Sequence, residues 1–288
     1  MPQHCPVRLP LFALLLVACS SLWAEELSTP SEGVRVSYSL EASVITMHEP
    51  VIVRFDVING STQPITLRLG TDRKENFSLV IHRPDGSKEE RPPLPRREGA
   101  FRVGNVTLGP GERLRQQLLL NEWASVTTPG EYKLDVRLAT PIEIGSGTKF
   151  VTEPYHISFK VLPRDESHLK AACERLGRQI ESTKDVNEMN DAASALAHID
   201  DPIVVPYLER ALRSGKYVEH SVINGLARIG NEDAAQILIA VVKESPAWPP
   251  SMETAAGSRA ILARQALQTI ATSTSNERLR QEIKRTMP

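Results

Sequence analysis

The chain has 288 residues, of which 41% are hydrophobic and 24% are charged, and this composition is that of an ordinary globular protein. The formal net charge of −1 excludes the strongly basic surface that proteins use to bind nucleic acid or acidic lipid. The length is enough for two domains, because a domain typically holds about 100 to 150 residues.

The first 24 residues have the pattern of a secretory signal segment. Arg8 precedes the uncharged run LPLFALLLVACSSLWA, whose most apolar part is about ten residues long. A membrane-spanning helix needs about 20 apolar residues, and no other segment approaches that length. The sequence therefore predicts export and no transmembrane span.

Two processing routes are compatible with this segment. The tetrad LVAC resembles the bacterial lipobox, which would make Cys19 the lipid-bearing first residue of the mature protein. Alternatively, an ordinary signal peptidase cuts after Ala24 or after Ser20. The predicted location is the periplasm, with attachment to the outer membrane as a lipoprotein if Cys19 is lipidated.

Residues 33–162 alternate between apolar and polar side chains with a period of two. The apolar set of one predicted strand is Tyr132, Leu134, Val136 and Leu138, each followed or preceded by a charged residue. Such alternation is typical of antiparallel strands with one buried face. Turn signals such as NGS, PDGS and TPGE separate about eight such strands, and this predicts a β-sandwich.

The stretch TPGEYKLDVRL resembles the start of a late strand in immunoglobulin-like domains. The resemblance implies that the Tyr132 hydroxyl hydrogen-bonds to backbone a few residues upstream. Leu134 stands where such domains usually have a cysteine, so the domain would lack their disulfide. The pattern is also similar to small bacterial sandwiches of the intracellular proteinase inhibitor type.

The C-terminal segment repeats itself. ASALAHIDDPIVVPYLERAL (193–212) and INGLARIGNEDAAQILIAVV (223–242) match at an offset of 30 residues, with apolar matches at helical spacing. A third copy follows at an offset of 41. In each unit a capping residue stands where a helix is predicted to begin, as in DDP at 200–202 and GNED at 230–233. The pattern predicts stacked helix pairs, because one pair cannot bury its apolar face alone.

These repeats resemble the short bacterial form of HEAT-like repeats. The resemblance implies an α-solenoid of about three helix pairs over 166–286, whose second helices line a concave surface. Members of this family mostly bind other proteins. The predicted fold class is therefore multidomain: an all-β immunoglobulin-like sandwich over 33–162, followed by an all-α HEAT-like solenoid over 166–286.

No motif in the sequence indicates a catalytic, cofactor-binding or metal site, and no cofactor is predicted. Cys173 lies in an apolar-periodic run and is interpreted as a buried structural thiol. Candidate partner-binding residues lie on the polar face of a second helix and in a Pro-rich insertion. They are Tyr207, Glu209, Arg210, Arg213 and Trp248.

The leading hypothesis is a noncatalytic exported scaffold that docks another envelope protein and binds no nucleic acid. Two alternatives stay open. The protein could be an enzyme, a lyase or hydrolase with an unrecognised site in a groove, or its sandwich could act as a peptidase-inhibitor-like module.

Overall fold

The computed structural model describes residues 33–69, 72–94, 104–151, 153–244 and 255–287. The strands are Val34–Leu40 (β1), Val44–Thr46 (β2), Ile52–Asn59 (β3), Ile65–Arg68 (β4), Phe77–His82 (β5), Lys88–Arg91 (β6), Asn105–Leu108 (β7), Arg113–Leu119 (β8), Gly130–Leu138 (β9), Ile142–Ile144 (β10), Gly147–Lys149 (β11) and Tyr155–Leu162 (β12). The helices are Glu166–Ser182 (α1), Val186–Ala197 (α2), Val205–Arg213 (α3), Glu219–Ile229 (α4), Glu232–Lys243 (α5), Ala255–Ser273 (α6) and Glu277–Thr286 (α7).

The strands of the β region (33–162) form three sheets within the described residues. Their strand orders are β1-β3-β8, β11-β10-β4-β7 and β2-β12-β9-β5-β6. All pairings are antiparallel except β2 with β12, which is parallel. The side chains predicted to face inward along β9 are indeed fully buried, since Tyr132, Leu134 and Val136 are each 0% exposed.

The predicted fold class is wrong as stated. The β region has three sheets rather than the two of an immunoglobulin-like sandwich, and the helical region (166–287) is not an independent solenoid of helix pairs beside it. Ile52 and Leu119, from the three-stranded sheet, belong to the apolar cluster of the helices. Alternation along a strand reports which face is buried but not which strand lies alongside, so the number of sheets could not be obtained from it.

Tyr132 fixes the start of β9. Its hydroxyl donates to the Thr128 carbonyl oxygen at 2.9 Å, and its ring stacks on Phe159 with centroids 5.2 Å apart. Gly130, two residues earlier, has φ +141°, and a Cβ there would lie 2.5 Å from the Cβ of Pro84. Glycine is required at this corner for both reasons.

The repeated positions of the helical region lie in one continuous apolar cluster. The buried matches include Leu196, Leu226 and Leu267 on the first helices of the units, and Leu208, Leu238 and Leu279 on the second. Gly225 lets α4 approach α2 closely, because a Cβ there would lie 3.0 Å from both Cα and Cβ of Ala197. The 30-residue repeat therefore places the same apolar residue types in one shared core.

The predicted capping residues occupy the helix ends as expected. The Asp201 carboxylate accepts from the Ile203 N–H at 3.0 Å at the start of a short 3-10 helix, Pro202–Val204, which leads into α3. Gly230 ends α4 at φ 60°, and the Asn231 side chain accepts from the Ala234 N–H at 2.9 Å to begin α5. The acidic pair at 200–201 thus begins a helix.

Polar contacts join the β region to the start of α1. The Thr46 hydroxyl donates to the Pro163 carbonyl at 2.6 Å and accepts from the Asp165 N–H at 2.8 Å. Arg164 donates from Nε and Nη2 to the two carboxylate oxygens of Asp201 at 2.5 and 3.2 Å. Asp201 is only 4% exposed, so this ion pair lies at the edge of the core. Residues from both regions thus hold the junction.

Candidate functional site

The structure brings three of the predicted partner-binding residues, Glu209, Arg210 and Arg213, together around one open depression. Trp248 and Cys19 lie outside the described residues. Arg210 donates from Nη1 to Glu174 at 3.3 Å and pairs through Nε with Glu181 at 3.0 Å, and its guanidinium lies 5.5 Å from the Tyr207 ring centroid. Arg210 therefore ties α3 to α1.

Glu209 and Arg213 form an ion pair one helical turn apart on α3, at 2.8 Å. With Arg210 they border an open depression of about 600 Å³, whose other lining residues are Glu181, Pro206 and Ser214. The charges of Glu209 and Arg213 pair with each other. Exposed ion pairs of this kind contribute little to stability.

A deeper cleft lies where the three-stranded sheet faces α1 and α2. Ile52 and Leu119 are register partners on β3 and β8, and both pack into the helical core. The next partners on the same sheet face are Arg54 with Gln117 and then Asp56 with Arg115. Because these side chains are polar, the apolar contact with the helices ends at Ile52 and Leu119, and polar contacts follow, such as the Gln117 amide donating to the Asp191 carbonyl oxygen at 3.2 Å. Beyond the apolar contact a cleft of about 630 Å³ stays open.

The sheet side of this cleft is rich in arginine. Glu41 accepts from Arg54 at 3.2 Å and from Arg175 of α1 at 2.5 Å. Asp56, which is buried, accepts from Arg113 at 2.7 Å and from Arg115 at 3.1 Å through one carboxylate oxygen. We refer to the arginines that line the cleft, Arg54 and Arg115 of the sheet and Arg175 of α1, as the basic wall.

The opposite side is formed by the beginning of α2 and carries three carboxylates, Asp185, Glu188 and Asp191, which we call the acidic wall. Burial raises the pKa of Asp191, although Arg73 beside it acts in the other direction. The neighbouring charges of Asp185 and Glu188 raise that pKa further. Asp185 and Glu188 are therefore each close enough to Asp191 to repel its negative charge.

The cleft continues as a groove along α2. A second section of about 470 Å³ shares Asp191 with the first, and a third of about 360 Å³ shares Ser194 and Ser221 with the second. The Ser194 hydroxyl donates to Glu122 of the β region at 3.2 Å. We call these three neighbouring sections the α2 groove; side chains of both regions line the first two, and helical residues alone line the third.

The far end of the α2 groove contains two histidines. The Nδ1–H of His198 donates to the Ser194 carbonyl at 2.8 Å, so its Nε2 carries the lone pair. Burial lowers the pKa of His198, which keeps the imidazole neutral at pH 7. His220 lies 3.3 Å from the Asn224 amide nitrogen. This end offers hydrogen-bonding groups and one cation, Arg228, which donates to the Ala197 carbonyl oxygen.

Sequence reasoning missed this groove because its walls come from strands and helices far apart in the chain. One signal was present: the outward positions of β3 and β8 carry Arg54, Asp56, Arg115 and Gln117, and Asp185, Glu188 and Asp191 recur at a spacing of three residues. Across the described residues no three histidine, cysteine, aspartate or glutamate side chains are placed to hold a metal ion. None of the helices in those ranges is long and apolar enough to cross a bilayer.

No family model matches this chain, and no curated protein matches it. Solved structures match it at low identity. A β-glucosidase of Listeria innocua in complex with glucose is 13% identical over 46% of this chain and 17% of its own length, with a TM-score of 0.27. The CARDB domain of a Pyrococcus furiosus protein in complex with di-metal ions is 12% identical over 47% of this chain and 100% of its own, with a TM-score of 0.26.

An alkylpurine DNA glycosylase of Pseudomonas fluorescens, bound to DNA containing an abasic site analog, is 12% identical over 46% of this chain and 31% of its own, with a TM-score of 0.26. The chain thus spans only about a sixth of the β-glucosidase that it matches. Similarities with TM-scores this low carry no argument about fold or function.

Proposed function

We propose that this chain is a noncatalytic, exported protein of the bacterial envelope that binds another protein along the α2 groove. The observation that carries the proposal is the succession of three sections along α2 that share lining residues, of which the first two are lined by both regions. An extended polar groove held between two packed regions suits an extended segment of a partner. Its binding would come from many polar contacts with a preformed surface.

The first test is affinity capture with the full chain and with groove variants. Asn190 and Asn224 are exposed and line successive sections of the groove. Replacing either by tryptophan should obstruct the groove and lower partner recovery at least about tenfold, which corresponds to ~1.4 kcal/mol of binding free energy.

Matched variants on the other helical face serve as the control. Glu209→Ala and Arg213→Ala remove residues of the α3 depression, which was the surface favoured by the sequence. Recovery should be unchanged with these two variants. If they abolish capture and the tryptophan variants do not, the docking surface is the α3 face and the groove assignment is wrong.

Export and anchoring are tested separately through Cys19. The proposal of a lipoprotein requires that radioactive palmitate label the wild-type chain and that Cys19→Ser abolish the label. The same substitution should move the protein from the membrane fraction to the soluble periplasmic fraction. An unlabelled wild-type chain that is still cleaved after Ser20 or Ala24 would instead establish ordinary signal-peptidase processing.

A further inference from the structure

We propose that the third section of the α2 groove binds a carboxylate of the partner segment, with Arg228 as the cation that pairs with it. This section is lined by residues of α2, by its C-terminal cap His198 and by residues of α4. The inference rests on the proposed function, since it names the chemical group that this end of the groove recognises. It follows from the contacts of the Arg228 guanidinium and of the other groups that line the section.

The third section lies where α2 and α4 approach each other closely. Gly225 of α4 meets Ala197 at the end of α2, and both residues line the section. The volume is about 360 Å³, near the lower end of the range for pockets that hold small ligands. The section is therefore large enough for one charged side chain or for the end of a chain.

Arg228 lines this section with a charge that no carboxylate neutralises by contact. Within the described residues it forms no ion pair, and its hydrogen bond runs from Nη2 to the Ala197 carbonyl oxygen. That bond ties the guanidinium to the end of α2 and uses one of its five N–H donors. By contrast, Arg73 in the second section pairs with Asp191. Arg228 thus keeps donors available for a ligand.

The surroundings of Arg228 favour pairing with an anion. Its side chain is accessible to solvent, yet the protein around it removes enough water to lower its pKa. Asp200 acts on that pKa in the opposite direction but forms no ion pair with Arg228. A partly desolvated guanidinium gains more from a carboxylate than a fully hydrated one does, and the two planar groups match in a bidentate geometry.

Two neutral groups of the same section can donate hydrogen bonds to an anion. Nδ1 of His220 accepts from the Asn224 amide nitrogen at 3.3 Å, so the imidazole proton lies on Nε2. The Ser221 hydroxyl borders the second and third sections and has no hydrogen-bond partner among the described residues. An ionised carboxylate only accepts hydrogen bonds, so these donors complement it.

The number of charges favours a carboxylate over a phosphate. Arg228 is the one lysine or arginine among the described residues that line this section, and it neutralises one negative charge. A phosphate monoester carries about 1.5 to 2 negative charges at pH 7. Its excess charge would be repelled by the nearby carboxylates of Asp200 and Glu122. Lys74 also acts on the pKa of His198 but does not line the section.

The experiment titrates the full-length protein with short peptides and follows NMR chemical-shift changes. Acetyl-tetraglycine with a free C-terminus places the carboxylate at a chain end, and acetyl-Gly-Gly-Glu-Gly-amide places it on a side chain. Their uncharged matches are acetyl-tetraglycine amide and the peptide with Gln in place of Glu. At least one acid should bind about tenfold more tightly than its match, which is ~1.4 kcal/mol. The acid that binds more tightly identifies the source of the carboxylate.

Two variants test the role of Arg228, and a third is the control. Arg228→Gln should weaken binding of the better acid about tenfold and leave its uncharged match unchanged. Asn224→Asp, one turn before Arg228 on α4, supplies a carboxylate that pairs with the guanidinium and should have the same effect. Arg178→Gln should change neither, because Arg178 is exposed on α1, donates to the Glu174 carbonyl at 3.4 Å and does not line the groove. Thermal melts that match the wild type exclude a folding effect.

The inference is overturned if the acids and their uncharged matches bind equally, or if a preference for the acids survives both variants. Tighter binding of acetyl-Gly-Gly-phosphoserine-Gly-amide than of the Glu peptide would also overturn it. If the acids show no preference while Asn190→Trp abolishes partner capture, the proposed function stands and only the carboxylate site is rejected. If the preference depends on Arg228 while Asn190→Trp leaves capture unchanged, the carboxylate site stands and the proposed function is rejected.

Discussion

Leu226→Ala should destabilise the full-length protein by about 2 to 5 kcal/mol, the range for leucine truncation in a close-packed core. Leu226 is 0% exposed and belongs to the apolar cluster that α2, α4 and the following helices share. Its equivalents one unit away, Leu196 and Leu267, are equally buried, so neighbouring units hold the site from both sides and little collapse is available to fill the cavity.

Urea unfolding followed by far-UV circular dichroism measures this effect, since the helical signal reports the affected region. Leu238→Ala on the second helix of the same unit should cost a similar amount, because Leu238 is also 0% exposed. Asn224→Ala is the control on the same helix as Leu226, and its exposed side chain predicts a change within about 0.5 kcal/mol. A cost below about 1 kcal/mol for both leucine variants would contradict a shared core.

Asp201→Asn should destabilise the protein by about 2 kcal/mol at pH 7. The substitution keeps an oxygen for the Ile203 N–H but removes the charge that Arg164 pairs with through two nitrogens. Hydrogen bonds to a charged group contribute about 1.5 to 3 kcal/mol. The lower part of that range applies because the Arg164 side chain is 43% exposed and partly screened by water.

The same substitution should change the response to acid. The hydrogen bonds from Arg164 hold the pKa of Asp201 below its ordinary value, against the opposing effect of burial. The carboxylate therefore contributes stability that is fully present above the unfolded pKa of about 3.9 and is lost as the pH falls through the lower, folded pKa. The wild type should lose more stability than Asp201→Asn when the pH is lowered from about 7 to about 3.

Urea midpoints at the two pH values measure this difference, with Asp200→Asn as the control because Asp200 is the exposed neighbour. Equal loss of stability on acidification in the wild type and in Asp201→Asn would show that the Arg164 ion pair does not hold the junction. The helical region would then be joined to the β region by Ile52, Leu119 and the remaining polar contacts.

The resemblance of the helical region to HEAT-like repeats stays a prediction, while the fold class derived from it and from the strand pattern is wrong. The error has one origin. Each pattern was interpreted as a unit that buries its own core, whereas β3 and β8 each contribute an apolar residue to the core of the helices. In the sequence, Ile52 and Leu119 look like any other strand residue.

The local elements could be predicted from the sequence, because local forces set them. The alternation along β9, the hydroxyl of Tyr132 at its corner, the caps at Asp201 and Asn231 and the left-handed Gly230 all follow from spacing and residue type. The burial of Leu226 and Leu238 follows from the 30-residue repeat. Such features depend on neighbours within a few turns of chain, and the sequence displays those neighbours directly.

The sheet partners and the α2 groove depend on long-range packing, which the sequence does not display. Arg115 and Glu188 face the same cleft although 73 positions separate them, since Ile52 and Leu119 anchor the sheet to the helices at one end and polar side chains keep the other end open. The tertiary structure also pairs Arg210 with α1. No period or motif in the sequence predicts these contacts. Long-range packing determines which outward faces meet and which charged side chains remain exposed between them.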